Sequence, residues 1–263
     1  MKRILITGAN SYIGTSFETY LHENYPNDYY IDTLDMLDPK WKEYDFSKYD
    51  TVFHVAGIAH MKETSENKDL YYKVNRDLAV EIAKVVKQSG VKQFIFMSSM
   101  SVYGLDYSDE LITIKTPLKP KTNYGKSKLE AENYIIKLAD DNFIVSILRP
   151  PMVYGENSPG NLTKLFKVVR SFHIFPTIKN ERSSISIDML TKEIRKIVDE
   201  KKTKVYLPQN DKYMCTYEMV KSQMDKEKIK VIYLSFFNPM IKFFIGKNEL
   251  ITKCFGDLKY EKK

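Results

Sequence analysis

Five short apolar runs with strand character, Arg3–Thr7, Tyr29–Leu34, Thr51–Val55, Gln93–Ser98 and Phe143–Leu148, are separated for the most part by segments of helical period. Strand, helix, strand, repeated in this way, implies a parallel, doubly wound sheet of the α/β class. The clearest helices are expected over Tyr12–Asn24, Asp69–Ser89 and Asn123–Asp140, with Gly90 closing the second and Pro150–Pro151 ending the fifth strand. This first domain spans 1–150. Beyond Pro151 the elements shorten, punctuated by Pro159, Gly160, Pro176 and Pro208. Residues 151–182 and 203–263 are expected to form a smaller substrate lobe, while about 183–202, with the amphipathic stretch Asp188–Glu200, returns to the first domain.

Composition narrows the class of protein. At 263 residues with 43% hydrophobic content the chain can bury a sizeable core. The apolar run after Met1 is only Ile4–Ile6, too short for a signal peptide, and nowhere do eighteen apolar residues run together. A soluble, cytoplasmic protein without a membrane span is expected. The aromatic run "YLSFFNPMIKFFIG" is interrupted by Asn238, Pro239 and Lys242, and packing within the C-terminal lobe is its expected fate. Cys215 and Cys254 offer no disulfide framework, and His22, His54, His60 and His173 do not cluster with carboxylates at ligand spacing, so no metal site is expected. The net charge of +7 comes from lysines mixed with acids along the chain, which suits an anionic small substrate better than nucleic acid.

The first strand runs straight into "TGANSYIG", residues 7–14, and then into helix. Gly8, Ser11 and Gly14 take the three places of a glycine loop: tight turn, backbone approach to a pyrophosphate, and packing of helix on strand. The middle glycine is a serine, whose side chain threatens a clash. The second strand is followed by Asp35, about 20 residues beyond the loop, where an acid accepts hydrogen bonds from an adenosine ribose. With Asp38 nearby and no arginine to receive a 2′-phosphate, this favours NAD.

In "NYGKSKLEAE", residues 123–132, Tyr124 and Lys128 lie about one turn apart on one helix face. With 19 Tyr and 41 Lys plus Arg in the chain, such a pair also arises by chance. Its context decides. "FIFMSSMSVYG" upstream is a strand ending in Ser98, Ser99 and Ser101, and in a parallel sheet the carboxyl ends of strands face the ligand crevice. "TGANSYIG", "HVAG", "VNRD", "SSMSVYG", "YGKSK" and "LRPPMVYG" together resemble the extended short-chain dehydrogenases/reductases, specifically the NAD-dependent nucleotide-sugar epimerase/dehydratase group that includes UDP-glucose 4-epimerase. The resemblance covers about residues 1–190 and is loose in the C-terminal third.

That resemblance implies a Rossmann-type sheet, NAD as cofactor and a nucleotide-diphosphate sugar as substrate. It implies Tyr124 as catalytic acid/base, Lys128 as its activator and ligand of the nicotinamide ribose, and Ser99 as the hydroxyl that orients the substrate, with Ser101 beside it. It further implies cofactor contacts from Gly8, Asn10, Ser11, Tyr12, Ile13, Gly14, Asp35, Asp45, Phe46, Val55, Ala56, Gly57 and Pro151, with Asn75 also holding the central helix in place. Asn161 and Arg182 are implied as substrate ligands, Arg182 gripping the diphosphate. The chemistry is coherent: a free phenol has a pKa of about 10, and the Lys128 ammonium is expected to lower that of Tyr124 so that it takes a proton from a sugar hydroxyl.

A 4,6-dehydratase needs acidic groups after the catalytic hydroxyl, whereas Ser99 is followed by Met100 and Ser101. A 4-epimerase acting on a UDP-hexose or UDP-N-acetylhexosamine is the expected activity, with a 4-keto nucleotide-sugar reductase as the alternative. Non-catalytic regulators of this fold typically lack the tyrosine and lysine. Apolar residues on more than one face of the helices at 69–89 (Leu70, Val74, Leu78, Ile82, Val85) and 123–140 (Leu129, Ile135, Ile136, Leu138) suggest a homodimer built on them.

Overall fold

The structure, a computed structural model, describes residues 1–59, 61, 63–64 and 66–262. Six parallel strands form the main sheet in the order β2-β1-β3-β4-β5-β9. The chain runs through β1 (Lys2–Thr7), α1 (Tyr12–Asn24), β2 (Tyr29–Leu34), β3 (Thr51–His54), α2 (Lys68–Tyr72), α3 (Ala79–Gln88), β4 (Gln93–Met97), α4 (Asn123–Ile135) and β5 (Ile144–Leu148). It continues through β6 (Met152–Tyr154), α5 (Asn161–Phe172), β7 (Ile174–Pro176), β8 (Ser184–Ser186), α6 (Ile187–Glu200), β9 (Lys204–Tyr206), α7 (Thr216–Lys226), β10 (Ile232–Leu234), α8 (Asn238–Phe244) and α9 (Glu249–Phe255). This is a Rossmann-type doubly wound sheet.

Period-two alternation sends successive side chains to opposite faces. Leu5, Phe94 and Phe96 join Ile82 and Val86 of α3 and Ala131 and Ile135 of α4 on one face. Ile4, Ile6 and Ile95 join Phe17 and Leu21 of α1 and Leu190, Ile194 and Ile197 of α6 on the other. Because β2 and β3 flank β1 on opposite sides, the order of winding reverses at β1, and a crevice opens at the carboxyl ends of β1 and β3.

Several boundaries differ from the sequence reading, each for a local reason. The third strand ends at His54 because the Val55 and Ala56 N–H groups both turn to the Thr7 carbonyl, at 3.0 and 2.9 Å. The helix expected over 69–89 is divided by a π segment, Lys73–Leu78, between α2 and α3. The helix expected over 123–140 leaves regular geometry after Ile135 and tightens into a short 3₁₀ turn, Ile136–Leu138. Lys204–Tyr206, assigned above to the small lobe, instead adds β9 to the edge of the main sheet beside β5.

Val169, Phe175, Val220 and Met224 gather into a separate core cluster. The aromatic run packs there only at its start, where Tyr233 lies against this core and β10 pairs with β7; no residue of α8 is buried, and Phe236 is 84% exposed. A seven-residue helix has too little length to cover so many rings. Conversely, most apolar residues offered for a dimer face are absorbed within the chain: Ile82 and Ile135 are buried, and Leu78, Val85, Ile136 and Leu138 pack against the main core, leaving Leu70 exposed. Residues near the C-terminus close over the sheet: Tyr260 is fully buried, its hydroxyl donates to the Arg149 carbonyl at 2.8 Å, and its N–H donates to Ser183 Oγ at 2.8 Å. Among the described residues no helix is long and apolar enough to cross a membrane.

Candidate active site

Gly8 leaves β1 at φ 111°, in the left-handed region, and a Cβ there would stand 2.7 Å from the Ala56 nitrogen. Only glycine lets the loop lie on the strand beside it. The Gly8 and Ala9 N–H groups bond the Leu34 carbonyl at 3.0 and 3.2 Å, which sets the loop against the end of β2 and next to Asp35. Asn10 also adopts positive φ, 64°. Ser11 then caps α1, its hydroxyl accepting from the Gly14 N–H at 3.2 Å. The side chain in the middle glycine's place therefore folds onto the helix and avoids the clash, though it occupies one N–H that an anion could have taken.

Around this loop Val55 and Ile13 pack with the core beneath, and the Tyr12 hydroxyl lies where a Cβ on Gly155 would be 2.6 Å away. Asp35 is exposed and accepts from the Leu37 N–H at 2.9 Å. Asp45 accepts from the N–H and hydroxyl of Ser47, which hold its carboxyl below the usual range. Phe46 is a correction: its ring is buried in the core cluster with Trp41 and Ala56, so its side chain does not line the crevice.

Gly57 sits between two site residues. A Cβ there would be 2.9 Å from Asn75 Oδ1 and 3.2 Å from Lys128 Nζ. Asn75, in the π segment, accepts from the Ile58 N–H at 2.9 Å and donates to the Ile58 carbonyl at 3.0 Å and to Ser127 Oγ at 3.3 Å. Both amide hydrogens are thereby spent on protein partners, and the residue ties the segment after β3 to α4.

Ser99 follows β4 and caps the turn Met100–Tyr103; its hydroxyl accepts from the Ser101 N–H and donates to Ser101 Oγ, both at 3.1 Å. Tyr124 is the second residue of α4, which Thr122 caps through the Gly125 N–H at 3.1 Å. The close approach of α4 to the serine turn depends on Gly125, where a Cβ would fall 2.7 Å from the Ser101 carbonyl oxygen. Gly125→Ala is expected to push Tyr124 away from the serines, cut turnover about 100-fold and, because the added carbon meets backbone, destabilise the fold by about 1–3 kcal/mol; steady-state kinetics beside a thermal melt checks both.

Burial raises the Tyr124 phenol above its ordinary value, hydrogen bonding with the Ser99 hydroxyl opposes the rise, and Tyr71 adds to it. Lys128 does not enter this balance. Its ammonium donates to the Met97 carbonyl at 2.8 Å and stands 4.7 Å above the Phe96 ring. In the protein alone burial sets the direction for Tyr124, while the Lys128 ammonium is engaged by the Met97 carbonyl. Lys128 itself is pulled down to about 8 by burial, with Glu132 one turn further opposing the fall. His54 is a core histidine, its Nδ1 2.7 Å from Thr7 Oγ1, and burial holds it neutral.

Arg182 behaves differently from expectation. Its Nη1 donates to the Gly256 carbonyl at 2.6 Å, with the Asp106 and Thr252 carbonyls at 3.4 and 3.5 Å, so the guanidinium caps the end of α9. Burial lowers its pKa. Asn161 is the first residue of α5, and its side chain lies outside the described residues, as does all of His60. Pro151 is buried beside Pro150, whose carbonyl accepts from the Met100 N–H at 2.9 Å.

Glu63 was missed by the sequence reading. Its Oε1 accepts from the Tyr124 N–H at 3.0 Å, and its Oε2 accepts from the N–H and side-chain amide of Asn123 at 3.0 and 3.1 Å. A carboxylate at a helix N-terminus satisfies free N–H groups and complements the dipole. Its only signal is an acid on a loop 60 residues upstream, which no local period reveals.

The crevice fits a dinucleotide. The bare backbone at Gly8 and Gly57, the N–H groups at the head of α1, and a buried Ser98 Oγ without a hydrogen-bond partner among the described residues leave both space and donors at the strand ends. No group of His, Cys, Asp and Glu able to hold a metal ion occurs among the described residues.

Comparison with known proteins agrees. The sequence model of the NAD dependent epimerase/dehydratase family matches residues 4–176. The chain is 28% identical to a UDP-glucose 4-epimerase of Vibrio cholerae over 99% of its length and 87% of that protein. It is 29% identical to the N-acetyl-α-D-glucosaminyl-diphospho-ditrans,octacis-undecaprenol 4-epimerase of Escherichia coli O157:H7, over 63% of this chain and 53% of that one. Among solved structures, a dTDP-4-dehydrorhamnose reductase from Clostridium acetobutylicum superposes with a TM-score of 0.75 at 21% identity, covering 88% of this chain and 82% of its own. With sheet, loop and family model in agreement, the chain belongs to the NAD-dependent epimerase/dehydratase family and is an enzyme with NAD as its cofactor.

Proposed function

We propose that the protein is a 4-epimerase acting on a sugar diphosphate, a UDP-hexose or UDP-N-acetylhexosamine, through a 4-keto intermediate. The observation that carries this reading is the convergence of Ser99, Ser101, Tyr124 and Lys128 where β4 ends and α4 begins. Tyr124 takes the proton from the C4 hydroxyl and later returns it, Ser99 orients that hydroxyl, and Lys128 supplies a positive charge beside them. Gly8, Ser11 and Gly14 with Asp35 and Lys128 would hold NAD, which when bound supplies reversible hydride transfer at C4. Asn161 and Arg182 are proposed on the substrate side, Arg182 through guanidinium hydrogens not spent on α9. We further infer a cytoplasmic homodimer taking part in polysaccharide synthesis, with the small lobe holding the nucleotide.

The second reading, a 4-keto-sugar reductase, is favoured by Ser11, whose hydroxyl occupies the Gly14 N–H and so would remove one donor from a bound pyrophosphate. The test is to purify the protein, release and identify any nucleotide, and incubate it with UDP-glucose, UDP-galactose and their N-acetyl forms without added cofactor. Retained NAD and interconversion of a 4-epimer pair are expected. No bound nucleotide, no interconversion and NADH consumption only with a 4-keto sugar would establish the reductase. Because the E. coli relative is named for a lipid-linked sugar diphosphate, the assay includes one.

A further inference from the structure

We propose that the face formed by α8 and the start of α9 docks the protein on an anionic lipid surface. Phe236, Phe237, Met240, Phe243, Phe244 and Leu250 are all exposed there, Leu250 by 73%. Met240, Phe243 and Phe244 stand three and four residues apart, so they share one side of α8. Phe236 and Phe237 form an edge-to-face pair at its head, and Phe243 and Phe244 another at its end, each with ring centres 5.4 Å apart. Single exposed apolar residues are ordinary, but a contiguous set of large rings marks an interaction surface.

The element that carries these rings is anchored. Asn238 Nδ2 donates to Thr177 Oγ1 at 3.1 Å, the Gly246 N–H donates to Thr252 Oγ1 at 2.8 Å, and Arg182 binds the carbonyls at the end of α9. The rings are therefore held outward by a fixed scaffold.

Charge identifies the occupant. Residues 225–257 carry six lysines against four acids, of which Glu227 pairs with Arg170 and Glu249 with Lys253, while Asp106 also lies 4.0 Å from Lys253. Lys242 and Lys247 have no ion-pair partner among the described residues, and Lys247 Nζ lies 3.4 Å from the centre of the Phe243 ring. Exposed aromatic rings beside two unpaired lysines, Lys242 and Lys247, match the boundary between acyl chains and anionic headgroups. A second copy fits less well. A twofold contact would set Lys242 and Lys247 against their own equivalents, and α8, about 10 Å long, is short for the roughly 800 Å² each partner contributes to a stable interface.

From Leu250 to Gly256 is about 9 Å along α9, and Gly256 is where Arg182 bonds. Docking would thus set the small lobe at the headgroup layer, within reach of a sugar diphosphate on a lipid carrier.

The test is co-sedimentation of the full chain with phosphatidylcholine vesicles with and without phosphatidylglycerol. Binding is expected to the anionic vesicles, weakened by salt. Lys242→Glu with Lys247→Glu should lower the partition coefficient at least about tenfold, and Phe236→Ser with Phe243→Ser similarly, while thermal melting stays unchanged because these side chains are exposed. The readout involves no turnover, so it stands apart from the epimerase assay. Absence of wild-type binding, or equal binding by both double variants, would overturn the proposal. So would lipid-free dimerisation by light scattering that Phe236→Ser with Phe243→Ser abolishes, which would assign the face to a second copy.

Discussion

Tyr124→Phe is expected to lower turnover about 10²- to 10⁴-fold while leaving NAD binding and fold intact. The ring remains in place, half-buried at the head of α4, and only the proton carrier is lost. The hydroxyl's structural contribution is small: its partner is Ser99, itself engaged with Ser101, and one neutral hydrogen bond is worth about 1 kcal/mol. A melting temperature near that of the wild type with turnover all but abolished separates chemistry from folding. Wild-type turnover in the phenylalanine variant would remove Tyr124 from the mechanism.

The second large effect lies one turn beyond Lys128. Glu132 is buried and grips Arg149, with Nη2 to Oε2 at 2.6 Å and Nε to both oxygens at 3.1 and 3.2 Å, while Arg149 Nη1 donates to the Tyr103 hydroxyl at 3.0 Å. Burial alone would lower the Arg149 pKa, yet the Glu132 hydrogen bonds and charge raise it overall. Removing the carboxylate strands a guanidinium in the core, and Glu132→Ala is expected to cost about 3–5 kcal/mol, a large share of the roughly 5–15 kcal/mol of a typical domain. Urea unfolding measures it. Replacing both partners, Glu132→Leu with Arg149→Met, should recover much of the loss, since the ionic pair itself contributes little beyond a well-packed apolar one. An alanine variant as stable as the wild type would show that water reaches Arg149.

How legible the molecule was depends on the range of each interaction. Tyr12–Asn24 and Tyr29–Leu34 match the reading of their periods, since burial on one face leaves its mark in neighbouring residues. Ser99, Tyr124 and Lys128 were singled out through the resemblance of their motifs to a family, and the sheet brings the end of β4 and the head of α4, where they lie, together. The π segment was not, as one added residue per turn barely alters a helical pattern. Glu63, the Arg149–Glu132 pair and the position of β9 depend on partners 17 to 61 residues away. Arg182 was read by motif as a ligand, whereas its carbonyl partners follow about 70 residues later or precede it by 76.

Tyr260 adds a consequence in time. Its hydroxyl closes on the Arg149 carbonyl across 111 residues of sequence, beside the buried pair that backs α4. A ribosome adding about 5–20 residues per second delivers Tyr260 on the order of ten seconds after Arg149. Throughout that interval the nascent chain holds β4, α4 and β5 without the ring that seals them. A chain stalled before this tyrosine therefore presents an open core, behind the helix that carries Tyr124 and Lys128, to chaperones and proteases.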